Sequence, residues 1–407
     1  MIAQWALVVL FCSVPAMSGL LTFFHYVHDG QGEVTGLSGA RGASISPDGV
    51  HFFVAGENAN ALTSFSIHSG SLGFVESFED GLNGVFGLRG ASSTVVSPDG
   101  RHVYVACRED NSLVVFGRDA TADEISFLEV LQDGSGGIFG LHGASSVTVS
   151  PDNKNVIVAS GEDAALVVLS RDATSDELTM QDLDILPLSL YGASSVAISP
   201  DGSNVYATAT AESNHTMVTF VRDLSTGDLD FADEIVNDVN GVSGLRGLTS
   251  ATVSPDGTHV YAAAQLDNAV AVFERDLITG NLTFVGVLQD EVDGMFGLEG
   301  ASAVLVSPAG DRLFAASSVD NAVTVFRRTP GTGELALLET VDNIIGLEGA
   351  SSLAMSSSGE FLYVTGAQAG TVIGFEVAAC IGDPASGDVD FDAFCDDVDS
   401  CIGDDLS

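Results

Sequence analysis

The chain has 407 residues and a formal charge of -43, with 13 Lys and Arg against 56 Asp and Glu. That balance excludes nucleic acid and anionic membrane surfaces as partners, because both need clustered cations. It fits solubility in a salty medium, where ions screen self-repulsion, or the binding of divalent cations.

The first stretch reads as an export signal, residues 1–18. Trp5 to Val14 is an apolar core, and Ala16-Met17-Ser18 is a small-x-small cleavage site before Gly19. The start, Met1-Ile2-Ala3-Gln4, carries no Lys or Arg, so an uncleaved N-terminal strand is the alternative. The apolar run is short for a bilayer. The mature chain is therefore expected to lack a membrane span and to be extracellular, periplasmic or at the cell surface. Residues 21–27 follow, and they resemble residues 125–131, which close a later repeat.

From there a phrase recurs. Pro47, Pro98, Pro151, Pro200, Pro255 and Pro308 occupy one position of successive copies, with Ser357 in the seventh. The period is about 50 residues, as in propeller blades. Each copy reads as four short strands, shown by the second: 93–97, 103–107, 113–116 and 125–131. Ser97-Pro98-Asp99-Gly100 is a tight turn between the first two, with Pro fixing φ and Gly free to take positive φ. Arg118-Asp119 marks a hairpin before the fourth. Val and aromatic enrichment with regular turns argues for strands, and no stretch has a helical period.

The expected fold is all-β, a seven-bladed β-propeller over residues 19–378. Small residues such as Ala144-Ser145-Ser146 suit the crowded innermost strands. The seventh unit supplies only three strands, 352–356, 361–365 and 371–377. Its missing outer strand is expected to be residues 21–27, which closes the ring.

The Ser-Pro-Asp-Gly turns, strands such as Val103-Tyr104-Val105-Ala106, and the Arg118-Asp119, Arg171-Asp172, Arg222-Asp223 and Arg275-Asp276 hairpins resemble the seven-bladed β-propeller lactonase family and the YVTN-type surface repeats. That resemblance implies the fold, and a hydrolase of the 6-phosphogluconolactonase or muconate-lactone type as one activity. The family's sugar-lactone hydrolases are cytoplasmic, whereas this chain has an export signal, and no catalytic motif transfers residue by residue. Propellers also host unrelated functions.

The tail, 379–407, changes character. Asp388, Asp390, Asp392, Asp396 and Asp399, with Cys395 and Cys401, resemble a thrombospondin type-3 calcium repeat. Alternate carboxylates can converge on one Ca²⁺. Ala393 stands where that pattern prefers Gly, and a disordered acidic tail is the alternative. Cys380, Cys395 and Cys401 suit an oxidising compartment and at least one disulfide, whereas Cys107 reads as a buried lone thiol.

One slot of the repeat varies. The x of Gly-Leu-x-Gly-Ala is Ser38, Arg89, His142, Tyr191, Arg246, Glu299 or Glu348, and Arg41 stands where other copies have Ser or Thr. These side chains are expected to ring the channel mouth and to hold a small anionic ligand, with Arg41, Arg89, Tyr191, Arg246, Glu299 and Glu348 as binding residues. His142 is the candidate acid or base. A second set, including Asp80, Asp133 and Asp290, is expected to cap turns. His51, His102 and His259 share one repeat position and read as structural. Two functions follow: a secreted, monomeric propeller binding a small anion or an extracellular protein, or a lactonase-like hydrolase working in the same mouth.

Overall fold

The structure, a computed structural model, describes residues 19–119, 124–172, 177–186, 188–211 and 214–378. The export signal and the acidic tail, with Asp388, Asp390, Asp392, Asp396 and Asp399, lie outside the described residues.

Every regular element among the described residues is a strand, and the strands form seven antiparallel four-stranded sheets. Six sheets are built from consecutive strands. The seventh joins Ala350–Met355, Phe361–Gly366 and Thr371–Val377 to an outer strand from the other end of the chain, Leu21–His28. Leu21 pairs with Val377 and His28 with Thr371, so the ring is closed as the sequence indicates.

Boundaries differ in two places, as the second blade shows. Its first strand runs Ala91–Val96, starting earlier than expected, because Ala91 pairs with Cys107 across a bulge. Its third strand runs Ser112–Asp119. Arg118, expected in the hairpin, lies within the strand opposite Ile125 and is buried.

Each second strand is sandwiched between neighbouring blades, and so His102–Cys107 is buried along its whole length. One apolar cluster fills each junction. Between blades 2 and 3, Tyr104, Ala106 and Val115 pack on Val147, Val149 and Val158. Burial of this surface is the main stabilising term.

Ion pairs fasten the junctions from below. The Asp of each Ser-Pro-Asp turn reaches the Arg at the close of the third strand of the next blade. The distances are 2.7 Å for Asp48–Arg118, 2.9 Å for Asp99–Arg171, 3.0 Å for Asp152–Arg222, 2.9 Å for Asp201–Arg275 and 2.9 Å for Asp256–Arg328. His51, His102 and His259 receive hydrogen bonds at Nδ1 from Arg118, Arg171 and Arg328. Burial, then Arg328, holds His259 below the ordinary imidazole range. These histidines are structural.

Both junctions of blade 7 lack the pair. Ala309 and Ser358 replace the Asp, and Val377 and Ile67 replace the Arg. Aromatic packing takes over at the seam with blade 1, where Phe52 and Tyr363 lie 5.1 Å apart. Tyr363 donates to Gly70 O at 2.6 Å, and burial pushes its phenol up to about 12.

Candidate functional site

The innermost strands enclose a polar channel. The second residue of each, in ring order Arg41, Ser92, Ser145, Ser194, Thr249, Ser302 and Ser351, lines a cavity of about 370 Å³ at its mouth. Six of these carry a hydroxyl, and each hydroxyl bridges to the next blade. Ser145 donates to Ala193 O at 2.6 Å, Ser194 to Leu248 O at 2.7 Å, Ser302 to Ala350 O at 2.6 Å and Ser351 to Ala40 O at 2.6 Å. Ser92 and Thr249 make the same bond to Ala144 O and Ala301 O at 3.3 Å. Each contributes about 1 kcal/mol.

The step from blade 1 to blade 2 is the exception, because Arg41 occupies the slot. Backbone proximity compensates there: a Cβ on Gly42 would stand 2.8 Å from Ser93 Cα. Arg41 is thereby released from stitching duty and turns its guanidinium toward the mouth.

A second ring completes the cavity. It consists of one residue per blade at the end of the second strand: Glu57, Arg108, Gly161, Gln265, Ser318 and Ala367 follow that strand, and Thr210 lies within the longer Asn204–Ala211. Among the described residues, the only charged ones lining the cavity are Arg41, Glu57 and Arg108. Arg41 Nε lies 2.5 Å from Glu57 Oε2, with the two side chains 58% and 24% exposed. Arg108, on the adjacent blade, is exposed and has no carboxylate partner among the described residues. In a chain of charge -43, two guanidiniums and one carboxylate at the mouth form a local reversal of sign.

The variable x slot sits elsewhere. Of the predicted ligand residues, only Arg41 lines the cavity. Arg89, His142, Tyr191, Arg246, Glu299 and Glu348 lie on the outer rim. The backbone N–H groups of Arg89, His142, Arg246 and Glu299 donate to Asp110, Asp163, Asp267 and Asp320 at 2.8–2.9 Å. The left-handed glycine that follows, such as Gly90, presses against Glu109. The x side chain is left on the solvent side of that contact. His142 Nε2 is 3.0 Å from Glu162, and Arg89 is 3.5 Å from Glu109. Glu348 accepts the Gly346 N–H at 2.8 Å.

Sequence reading missed Glu57 and Arg108. A signal existed: across the seven copies, the residue after the second strand varies as freely as the x slot. The Asp residues of the lead-in loops cap turns as expected. Asp80, Asp133 and Asp290 accept the N–H groups of Leu88, Leu141 and Leu298 at 3.0–3.1 Å. No group of three or more His, Cys, Asp or Glu placed to hold a metal ion occurs among the described residues. Burial raises the Cys107 thiol well above its usual range, so it is inert.

One carboxylate far from the mouth is out of its usual range. Burial first, and then Asp182 and Asp230, push Asp184 up to about 6 on the outer strand of blade 3. A raised carboxyl favours the fold only while it is protonated. Its penalty therefore appears as pH rises from the unfolded value toward 6. Asp184→Asn is expected to raise the melting temperature at pH 7 by about 1–3 °C. Thermal melts across pH should show the gain vanish below about pH 4, and a gain independent of pH would refute this account.

The family model described as "Lactonase, 7-bladed beta-propeller" matches residues 24–187, 180–294 and 250–392. Three solved structures share the fold. The periplasmic gluconolactonase of Pseudomonas aeruginosa is 21% identical, with 77% of this chain and 87% of that one covered and a TM-score of 0.62. Hydrazine synthase of Kuenenia stuttgartiensis is 18% identical, covering 86% and 99%, with a TM-score of 0.64. A candidate 6-phosphogluconolactonase of Bacteroides uniformis is 19% identical, covering 77% and 88%, with a TM-score of 0.60. At these identities the structures establish likeness of fold alone. No curated protein matches the chain in sequence. Among the described residues, no helix is long and apolar enough to cross a membrane.

Proposed function

The chain belongs to the seven-bladed β-propeller lactonase family, and on that premise we propose that its channel mouth binds a small sugar lactone, hydrolyses it, and holds the sugar-acid anion that forms. The observation that carries the proposal is the meeting of Arg41, Arg108 and Glu57 on one polar cavity in an otherwise acidic molecule. A guanidinium offers paired donors to a carboxylate or phosphate, and a mouth of this size suits a compact ligand.

The chemistry assigns one role to each group. Arg108, which pairs with no carboxylate among the described residues, polarises the lactone carbonyl and takes up the charge that develops on its oxygen. Glu57 accepts a proton from water as that water attacks the carbonyl carbon. The ring C–O bond then breaks, the ring oxygen takes that proton from Glu57, and the hydroxy acid leaves, losing its carboxyl proton to solvent. Arg41 holds the Glu57 side chain in place. His142, on the rim beside Glu162, has no part in this scheme. A location outside the cytoplasm accords with the signal-like residues 1–18, and the fold neighbour from a periplasm supports it.

Acid release from glucono-1,5-lactone in a pH-stat tests the proposal, with calorimetric titration of gluconate alongside. Turnover above the spontaneous rate and salt-sensitive gluconate binding are expected. Binding without turnover would favour a second reading, a ligand-binding module, for which the tight Arg41–Glu57 contact speaks by tying up the base. Neither binding nor turnover sinks the site.

A further inference from the structure

The lead-in loops repeat a doublet whose first residue is buried and whose second is not. Val85, Ile138 and Met295 are core residues. The residues after them, Phe86, Phe139 and Phe296, are 57%, 54% and 62% exposed. In blade 7 the pair is Ile344, packed on the core, and Ile345, 78% exposed. The loop into blade 4 presents Leu188, 80% exposed, in the same slot. In the other two copies the slot holds Thr35 and Ser243.

Folding does not account for this. Two blades close with a hydroxyl residue in the slot, so no apolar side chain is required there. Exposing a large apolar residue in five copies forgoes burial of each. Isolated exposed hydrophobes are ordinary, but the same slot filled repeatedly is not. The neighbouring x slot has meanwhile drifted through Ser, Arg, His, Tyr and Glu. The lead-in loops all open on the face that carries the channel mouth, and Gly87, Gly140 and Gly297, next in the chain, stand against the outer two strands of their blades, so the five side chains form an outer apolar collar on that face, one to a blade.

Charge selects the occupant. Glu109, Asp293 and Asp342 lie on loops of the same face, and the whole chain carries -43. A second copy and an anionic bilayer are both repelled. We propose that the collar docks a cationic polypeptide segment of a partner protein, whose apolar side chains pack between Phe86, Phe139, Leu188, Phe296 and Ile345 while its Lys or Arg residues meet the acidic loops. Such a segment would run along the outer rim of that face, outside the mouth where Arg41 and Arg108 stand.

Fluorescence anisotropy of a labelled alternating Lys-Phe peptide against the full chain tests this, with a Lys-Ser peptide as control. The Lys-Phe peptide is expected to bind about tenfold more tightly than the control. Binding should weaken about tenfold in the Phe86→Ser, Phe139→Ser, Phe296→Ser triple variant. Raised salt should weaken both peptides. The substituted side chains are exposed, so circular dichroism and melting should match the parent. Equal binding of the two peptides, or undiminished binding in the triple variant, overturns the proposal. So does sedimentation showing a dimer that the triple variant dissolves, which would assign the face to a second copy. Flotation with phosphatidylcholine vesicles that depends on the collar overturns it as well, in favour of a lipid surface.

Discussion

Asp256→Ala is expected to destabilise the propeller by about 3 kcal/mol, because it leaves Arg328 buried without its counter-charge. The Arg328 side chain is inaccessible to solvent, and Asp256 meets it at 2.9 Å. Tyr261, His259 and the Gly310 carbonyl surround the same guanidinium but supply no negative charge. Urea unfolding should register the loss, and Arg328→Met in the same chain should recover much of it, since the desolvation cost leaves with the cation. The molecule contains the comparison already: at both junctions of blade 7 the Asp and the Arg are absent together, never singly. Acidity should act in the same direction. Burial alone would raise the Asp256 carboxyl, but hydrogen bonds from Arg328, Ser254 and Thr258 hold it well below the ordinary range. A depressed carboxyl contributes stability above its unfolded value and loses it as pH falls toward the folded one. The gap between parent and Asp256→Ala should therefore stay open at neutral pH and begin to narrow only below about pH 4. A variant as stable as the parent at neutral pH would mean that the ladder is decorative.

The fold was legible because the repeat encodes it redundantly. The Ser-Pro-Asp-Gly turns set the period, valine and aromatic enrichment between regular turns set the strands, and the shortage of one strand in the last blade pointed to residues 21–27 for closure. The inter-blade ladder was visible only as two separate regularities, the turn Asp and the hairpin Arg. Their union depends on a contact some 70 residues away, for instance Arg118 with Asp48. The candidate site was half legible. Arg41 stood out as a break in a run of hydroxyl residues, and it does line the mouth. The x slot misled, because variability marks exposure as readily as it marks a ligand site. A left-handed glycine after x turns the side chain outward, and the next residue but one turns in. Glu57 and Arg108 escaped because they follow the second strand, where the sequence looks like the start of an ordinary turn.

The mouth ion pair yields the sharpest test, because its two members should fail in different ways. Glu57→Gln keeps shape and hydrogen bonding but cannot take a proton, so lactone turnover should fall about a hundredfold or more with little change in gluconate affinity. Arg41→Ser should do the reverse of what a buried arginine deletion does. The slot holds Ser or Thr in every other blade, and the introduced hydroxyl can donate to Ala91 O as Ser351 donates to Ala40 O. Melting should therefore be unchanged or slightly raised. Gluconate affinity should nonetheless drop about tenfold to a hundredfold, the measure of one charged hydrogen-bonding group lost. Glu57 then faces the ligand unpaired, and its repulsion adds to the loss. If Arg41→Ser binds gluconate as the parent does, the reversal of charge at the mouth has no bearing on ligands, and Arg108 alone cannot rescue the assignment.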